Sequence, residues 1–478
     1  MPPHSENSAL EKDPAGAAAP DPDVPALDTG ARDRRAAAVR SLRLAGCAVF
    51  LAVALTAGAV AVGGAREGRG APPAGAVGGT GSPVPLSGAA PAADIRGLEQ
   101  RLREQPRDSG GWAALGLAYV EQARTDGDPS RYPRAERALA RSLELRPGND
   151  PALAGRAALA AARHEFADAL TYADRALKAN PYSERALCSR VDALVELGRY
   201  DDAARAADTA DARRPGVPVF TRYAYVRELR GDVDTARRVL DQALAAASSP
   251  GDVAYVATQL GRLAWSQGEY PAALRHYARA LAADDAYLPA LEGRARARAA
   301  SGDEDGAVAD LEAVVARAPL PGPLVALGEL YEARGDTAGA RAQYALVDAW
   351  TALARAGGVN ADLDTALAAA DHGDRAAALR AARAEWDRRR TVHTADTLAW
   401  ALHVNGRDAE ALPYARRAAA PGYRDAAFLH HLGVIERAVG HDRDARRHLR
   451  AALDLNPGFS PLGARAARAL LDGREAER

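Results

Sequence analysis

A single spacing constrains this chain more than anything else in it. Turn signals stand at Ser130, His164, Gly198, Gly231, Gly268, Gly302, Gly335, Gly373, Gly406 and Gly440, at intervals of 34, 34, 33, 37, 34, 33, 38, 33 and 34 residues. Five positions after each comes an alanine: Ala135, Ala169, Ala203, Ala236, Ala273, Ala307, Ala340, Ala378, Ala411 and Ala445. The copy at Gln259–Leu281 shows what the spacing means. Leu260, Gly261 and Ala264 share one helical face, Gly268 interrupts the pattern, and Ala273, Tyr277, Ala280 and Leu281 form a second stripe. Such a pair of amphipathic helices cannot bury both stripes on itself, so it needs a like neighbour on each side. The richness in Ala and Leu, with few aromatics, also favours helix over strand.

The repeated unit resembles the tetratricopeptide repeat, a helix–turn–helix of 34 residues. Trp112, Leu115, Gly116 and Tyr119 match its first-helix signature, as do Leu327, Gly328 and Tyr331, and again Leu432 and Gly433. Pro147, Pro181, Pro215, Pro319 and Pro457 match its boundary proline. The resemblance covers residues 109–460 and implies an all-α, right-handed solenoid of about ten repeats, with 461–478 forming a capping helix and tail. Small residues such as Gly261 and Ala273 let paired helices approach closely, and the boundary proline stops the second helix. All these positions are structural rather than catalytic.

Three departures from the pattern matter. The first repeat carries extra residues, TDGDPSRYP, read as a solvated turn because a calcium loop would need a central Gly and a closing Glu. The long intervals after Leu244 and Val347 predict longer second helices or small breaks, dividing the array into repeats 1–4, 5–7 and 8–10. Repeat 8 is thin in large side chains.

Ahead of the array, residues 1–40 are Pro-, Asp- and Ala-rich, as expected of a disordered segment. Within 41–64 the run from Leu44 to Val62 carries no charge and is just long enough for one transmembrane helix. Arg32, Arg34, Arg35, Arg40 and Arg43 precede it and only Arg66 and Arg69 follow closely, which places the N-terminus in the cytoplasm and the array outside. Cleavage near Ala57–Ala59 or Ala61–Gly63, releasing a secreted form, is the competing reading. The LAGC at 44–47 resembles a lipobox, but its apolar region lies on the wrong side of Cys47. Residues 65–93 are a Pro/Gly/Ala-rich linker.

The formal net charge is −1, and cations are almost all Arg, with Lys only at 12 and 178, the composition of a GC-rich, bacterial genome. Only short basic clusters such as Arg388–Arg390 occur, so nucleic acid is not expected as a partner. Cys47 and Cys188 are too far apart to suggest a disulfide framework or a Cys-based metal site. The sequence contains no Walker A loop, HExxH or GxSxG, so neither a cofactor nor catalysis is expected. His430, His431, His441 and His448 gather in the last repeat, but adjacent helical histidines point to different faces, and a solvated surface is the simpler reading.

The resemblance implies a concave groove lined by the first helices. Carried onto this sequence, its inward positions hold Arg185, Asp192, Glu196, Thr221, Tyr225, Glu228, Tyr255, Arg262, Trp265, Glu292, Arg296, Glu329, Glu332, Asp396, Trp400, His403, His430 and Arg437. Tyr225, Tyr255, Arg262, Trp265, Arg296, Trp400 and His403 are the expected partner-binding residues, since aromatic and Arg side chains anchor recognition. The function expected is a non-catalytic, membrane-tethered scaffold binding a protein or peptide. A cytoplasmic-side adaptor and an unrecognised envelope enzyme are the alternatives.

Overall fold

Every repeat read from the sequence is a helix pair. The computed structural model describes residues 91–126, 129–356, 362–420 and 422–473, all within one compact unit, Ala45–Arg478. Residues 1–90 lie outside this range, and with them the expected disordered segment, membrane helix and most of the linker. Among the described residues no helix is long and apolar enough to cross a membrane.

Helix α1 (Pro91–Glu104), which the repeat spacing does not announce, precedes the array. Its Ile95 and Leu102 join the core of the first repeat beside Leu115 and Tyr119. Repeat 1 links α2 (Ser109–Asp126) through a short 3-10 turn to α3 (Tyr132–Leu145). Repeats 2 to 4 pair α4 (Asp150–Ala162) with α5 (Phe166–Ala179), α6 (Glu184–Glu196) with α7 (Tyr200–Arg213), and α8 (Val217–Leu229) with α9 (Val233–Ala246). Repeats 5 to 7 pair α10 (Pro250–Ser266) with α11 (Tyr270–Ala283), α12 (Leu288–Ala300) with α13 (Glu304–Arg317), and α14 (Pro321–Ala333) with α15 (Thr337–Ala356). Repeats 8 to 10 pair α16 (Asp362–His372) with α17 (Arg375–Arg388), α18 (Val392–His403) with α19 (Asp408–Ala419), and α20 (Ala426–Ala438) with α21 (Asp442–Leu455). The cap is α22 (Pro461–Asp472).

Local chemistry explains the joints. Seven of the turn glycines, Gly198, Gly231, Gly268, Gly302, Gly335, Gly406 and Gly440, have φ between 70 and 88°, the left-handed region where a Cβ is penalised. At the second turn His164 takes the same conformation, φ 62°, with its ring stacked on Phe166. Ser130 and Gly373 do not adopt it. At the far end of the second helices, Arg146, Asn180 and Asn456 are extended, the conformation that Pro147, Pro181 and Pro457 impose on the residue before them.

The small positions are filled from across the hairpin. A Cβ on Gly261 would come within 2.6 Å of the Tyr277 ring, and one on Gly433 within 2.8 Å of Leu449. Tyr277, nine positions after its turn, thus occupies the space the glycine leaves. It also reaches the next repeat, where a Cβ on Gly293 would meet its hydroxyl at 2.6 Å.

The two long intervals have different causes. After repeat 4 the extra residues lengthen a first helix, not a second: α9 has the usual 14 residues and α10 has 17. No break follows, because one core cluster runs from Phe220 in α8 through Leu260 to Ala297 in α12. After repeat 7 the second helix is longer, as expected, with α15 reaching 20 residues. There the packing loosens around a cavity of about 220 Å³ lined by small side chains such as Val325, Val347, Ala366 and Ala378.

Candidate interaction groove

The array coils far enough for its second pass to meet its first, and this decides what the inner face looks like. The contacts recur along one edge. Tyr200 in repeat 3 accepts a hydrogen bond from the Val392 N–H at 2.8 Å. Gly231 in repeat 4 faces the Gly422 carbonyl, which a Cβ there would approach to 2.5 Å, and Gly268 in repeat 5 faces that of Leu455 at 2.8 Å. The Asn456 amide donates to the Trp265 carbonyl at 2.9 Å, and Arg465 donates to the Ala333 carbonyl at 3.0 Å. These contacts set the turn, or the helix ends beside it, of a first-pass repeat against a loop or helix end in the second pass. Two carbonyls at first-helix C-terminal ends, those of Trp265 and Ala333, thereby gain donors that the helix itself does not supply.

An ionic cluster sits at the centre of this seam. Arg389, in the short basic cluster Arg388–Arg390, is buried between Glu196 of α6 and Glu385 of α17 and bonded to both. Its guanidinium also lies over the Phe166 ring at 5.5 Å. Burial opposes its charge, but the two carboxylates prevail and raise its pKa.

The expected groove residues are engaged within the fold. Tyr225 is half-buried and shares an apolar cluster with Tyr423, Val392 and Phe428 of the second pass. Arg262 makes a bidentate pair with Glu228, 2.9 Å for one arm, and lies 5.9 Å above the Tyr225 ring. Tyr255 is buried in the core of repeats 4 to 6. Trp265 is half-buried against that core, and its indole Nε1 has no hydrogen-bond partner. Arg296 pairs with Glu292 at 2.9 Å. Trp400 donates to Asp371 at 2.6 Å and stacks on His431 at 4.2 Å, with the His403 ring 4.9 Å away. His403 in turn holds Asp408.

Other inward positions are buried outright. Asp192 pairs with Arg222 at 2.9 Å, both 7% exposed along the side chain. Glu196, Thr221, Glu228, Asp396 and His430 are likewise buried. Of the four histidines of the last repeat, His441 is exposed as the solvated reading expects and His448 is half-buried, but His430 and His431 are both buried, and His431 pairs with Asp396 at 2.9 Å. Burial disfavours its charge, yet Asp396 raises its pKa. Burial holds His430 down to about 3, and His393, enclosed by Tyr423 and Phe428, down to about 4. Among the described residues no three His, Cys, Asp or Glu side chains could hold a metal ion. Cys188 is buried with a free thiol.

Sequence reasoning missed the partners of these residues: Arg389, Val392, His393, Tyr423, Asn456 and Arg465. Their contacts with the first pass span up to 193 residues, and no periodicity of one repeat signals which repeats meet.

Helix pairs at this spacing, small residues opposed by large ones and left-handed turn glycines are features this chain shares with tetratricopeptide repeats. The tetratricopeptide repeat family model matches residues 219–286, which span repeats 4 and 5. No curated protein sequence matches the chain. Among solved structures it is similar to a thermophilic tetratricopeptide repeat protein of Thermus thermophilus, 23% identical, covering 40% of this chain and 98% of that one, TM-score 0.35. It is similar to PilF of Pseudomonas aeruginosa, 20% identical, covering 45% and 94%, TM-score 0.35. Human IFIT1 is 16% identical, covering 68% and 77%, TM-score 0.44.

Proposed function

We propose that this chain is a non-catalytic scaffold for protein interactions, held at a bacterial membrane by the apolar run Leu44–Val62 with its repeat array outside the cytoplasm. The observation that carries the interaction role is a set of half-buried side chains on first helices: Trp265 on α10, Arg296 on α12, and Trp400 and His403 on α18. Each is fixed by a neighbour yet keeps part of its surface open, the condition of a pre-ordered anchor for a protein or peptide ligand. Tyr225, Tyr255 and Arg262 complete the set from a more enclosed position. The charge asymmetry around residues 44–62 supports the orientation.

Crosslinking the full chain in its own membrane tests the interaction. Trp265→Ala and Arg296→Ala should each reduce partner capture by roughly tenfold or more while helicity stays unchanged. Undiminished capture by both variants removes these residues from the site. A C-terminal reporter active only outside the cytoplasm should be active, and a silent one overturns the orientation.

A further inference from the structure

The seam between the two passes is uneven along its length. At repeats 3 and 4 it contains the buried Glu196–Arg389–Glu385 cluster and an apolar cluster joining Val191, Val195 and Val226 to Val392, Ala395 and Phe428. At repeats 5 to 7 the second pass contributes chiefly its last segment, Asn456–Asp472, beside the Leu455 carbonyl that faces Gly268, and the character of the contact changes. Tyr270 donates its hydroxyl proton to Asn456 at 2.6 Å and accepts from the Gly458 N–H at 2.7 Å. Ser460 donates to Glu329 at 3.2 Å, and Arg465, exposed to solvent, donates to the Ala333 carbonyl. The segment's apolar side chains turn the other way: Phe459 and Ala464 pack on Ala426, Ala452 and Leu455 of repeat 10. Arg437 also ties α20 to the Leu470 carbonyl at 3.0 Å.

A helix that only capped repeat 10 would need the second set of contacts but not the first. Here the residues leading into the helix also lie across the C-terminal ends of α10, α12 and α14, with Asn456 on the Trp265 carbonyl, Gly458 against Ala300 and Ser460 on Glu329, and Arg465 of α22 itself reaches the Ala333 carbonyl. We propose that Asn456–Asp472 is a latch, closing the inner face of repeats 5 to 7 through hydrogen bonds that release without unpacking a core. Apolar burial holds repeats 3 and 4 against the second pass, whereas each hydrogen bond exchanged for one to water contributes little net stability. Opening therefore starts at the C-terminal end and uncovers Trp265 and Glu329 first. The consequence for partner access rests on the groove reading above, but the latch itself does not.

Hydrogen exchange on the full chain, with no partner present, tests it. In the wild-type protein the Gly458 amide should exchange through a smaller opening than the Val392 amide, and so faster. Tyr270→Phe combined with Arg465→Ala should speed exchange roughly tenfold or more across 456–463 and 265–268, leaving α6 and α8 protected and helicity intact. Unchanged exchange overturns the latch. So does a uniform rise across the chain with lost helicity, because the contacts would then be part of the fold's core. The same variant in the membrane crosslinking experiment separates the two readings: faster local exchange with no gain in capture upholds the latch and counts against the groove.

Discussion

Tyr277 shows how a single side chain carries two repeats. It is 2% exposed and lies under Gly261 of its own hairpin and Gly293 of the next. Tyr277→Ala should lower unfolding free energy by roughly 2–4 kcal/mol, measured in urea, because the two glycines leave a void that the helices cannot close. Its place in the packing stripe was legible from phase alone, nine positions past the turn. Trp265 was legible only in part: its phase puts it on the inner side, but the hydrogen bond its carbonyl receives from Asn456 was not readable.

Histidines give a second residue-scale outcome. His164 and His393 are held down to about 4 and His430 to about 3, first by burial, which disfavours their charged forms. Between about pH 6.5 and 4 the unfolded chain binds protons that the folded one refuses, so these groups make stability fall as pH falls through that window. His431 has the opposite sign. Its raised value adds stability that is full below about pH 6.5 and is lost as pH rises through its folded pKa. His393→Gln should therefore flatten the acid side of a plot of stability against pH by up to about 1.4 kcal/mol per pH unit. His431→Asn should instead remove a stabilising contribution on that side, and thermal melts from pH 4 to 8 distinguish the two.

At the scale of elements, the repeat period placed the hairpins because turn and boundary chemistry is local. A left-handed glycine ends the first helix and an extended residue before proline ends the second, and both lie within a few residues of what they control. The same period misassigned the long interval after repeat 4. A spacing counts residues between turns without saying which of two helices holds the surplus, and the added turn went to α10. Helix α1 carries no repeat signature and was invisible to it. His430 and His431, unlike His441, departed from the expected surface for a related reason: helical phase gives the side of a helix, whereas burial depends on what comes to rest there.

At the scale of the whole array, the coil brings repeats 2 to 7 against repeats 8 to 10 and the cap. Arg389 is the strongest test of that closure. Removing it leaves Glu196 and Glu385 buried without a counter-charge, so Arg389→Ala should cost about 3–5 kcal/mol in chemical denaturation. Because the cluster is enclosed, added salt should restore little of the loss. A cost below about 1 kcal/mol, typical of a surface pair, would mean that the seam does not form in solution.

The sequence by itself determined the unit: helix, left-handed turn, helix, repeated, with a small residue set against a large one, because each of these relations spans fewer than about 40 residues. It determined the relative phase of the first-helix residues too, since phase is a local property. Only the tertiary structure decided what those residues meet. The small rotation between successive repeats accumulates until residues up to 193 apart come into contact, and no single repeat encodes the sum. That sum makes Arg389, one of a short run of basic residues, a buried tie, encloses Tyr225 and Arg262, and lays the chain's last segment across the C-terminal ends of the first helices of repeats 5 to 7.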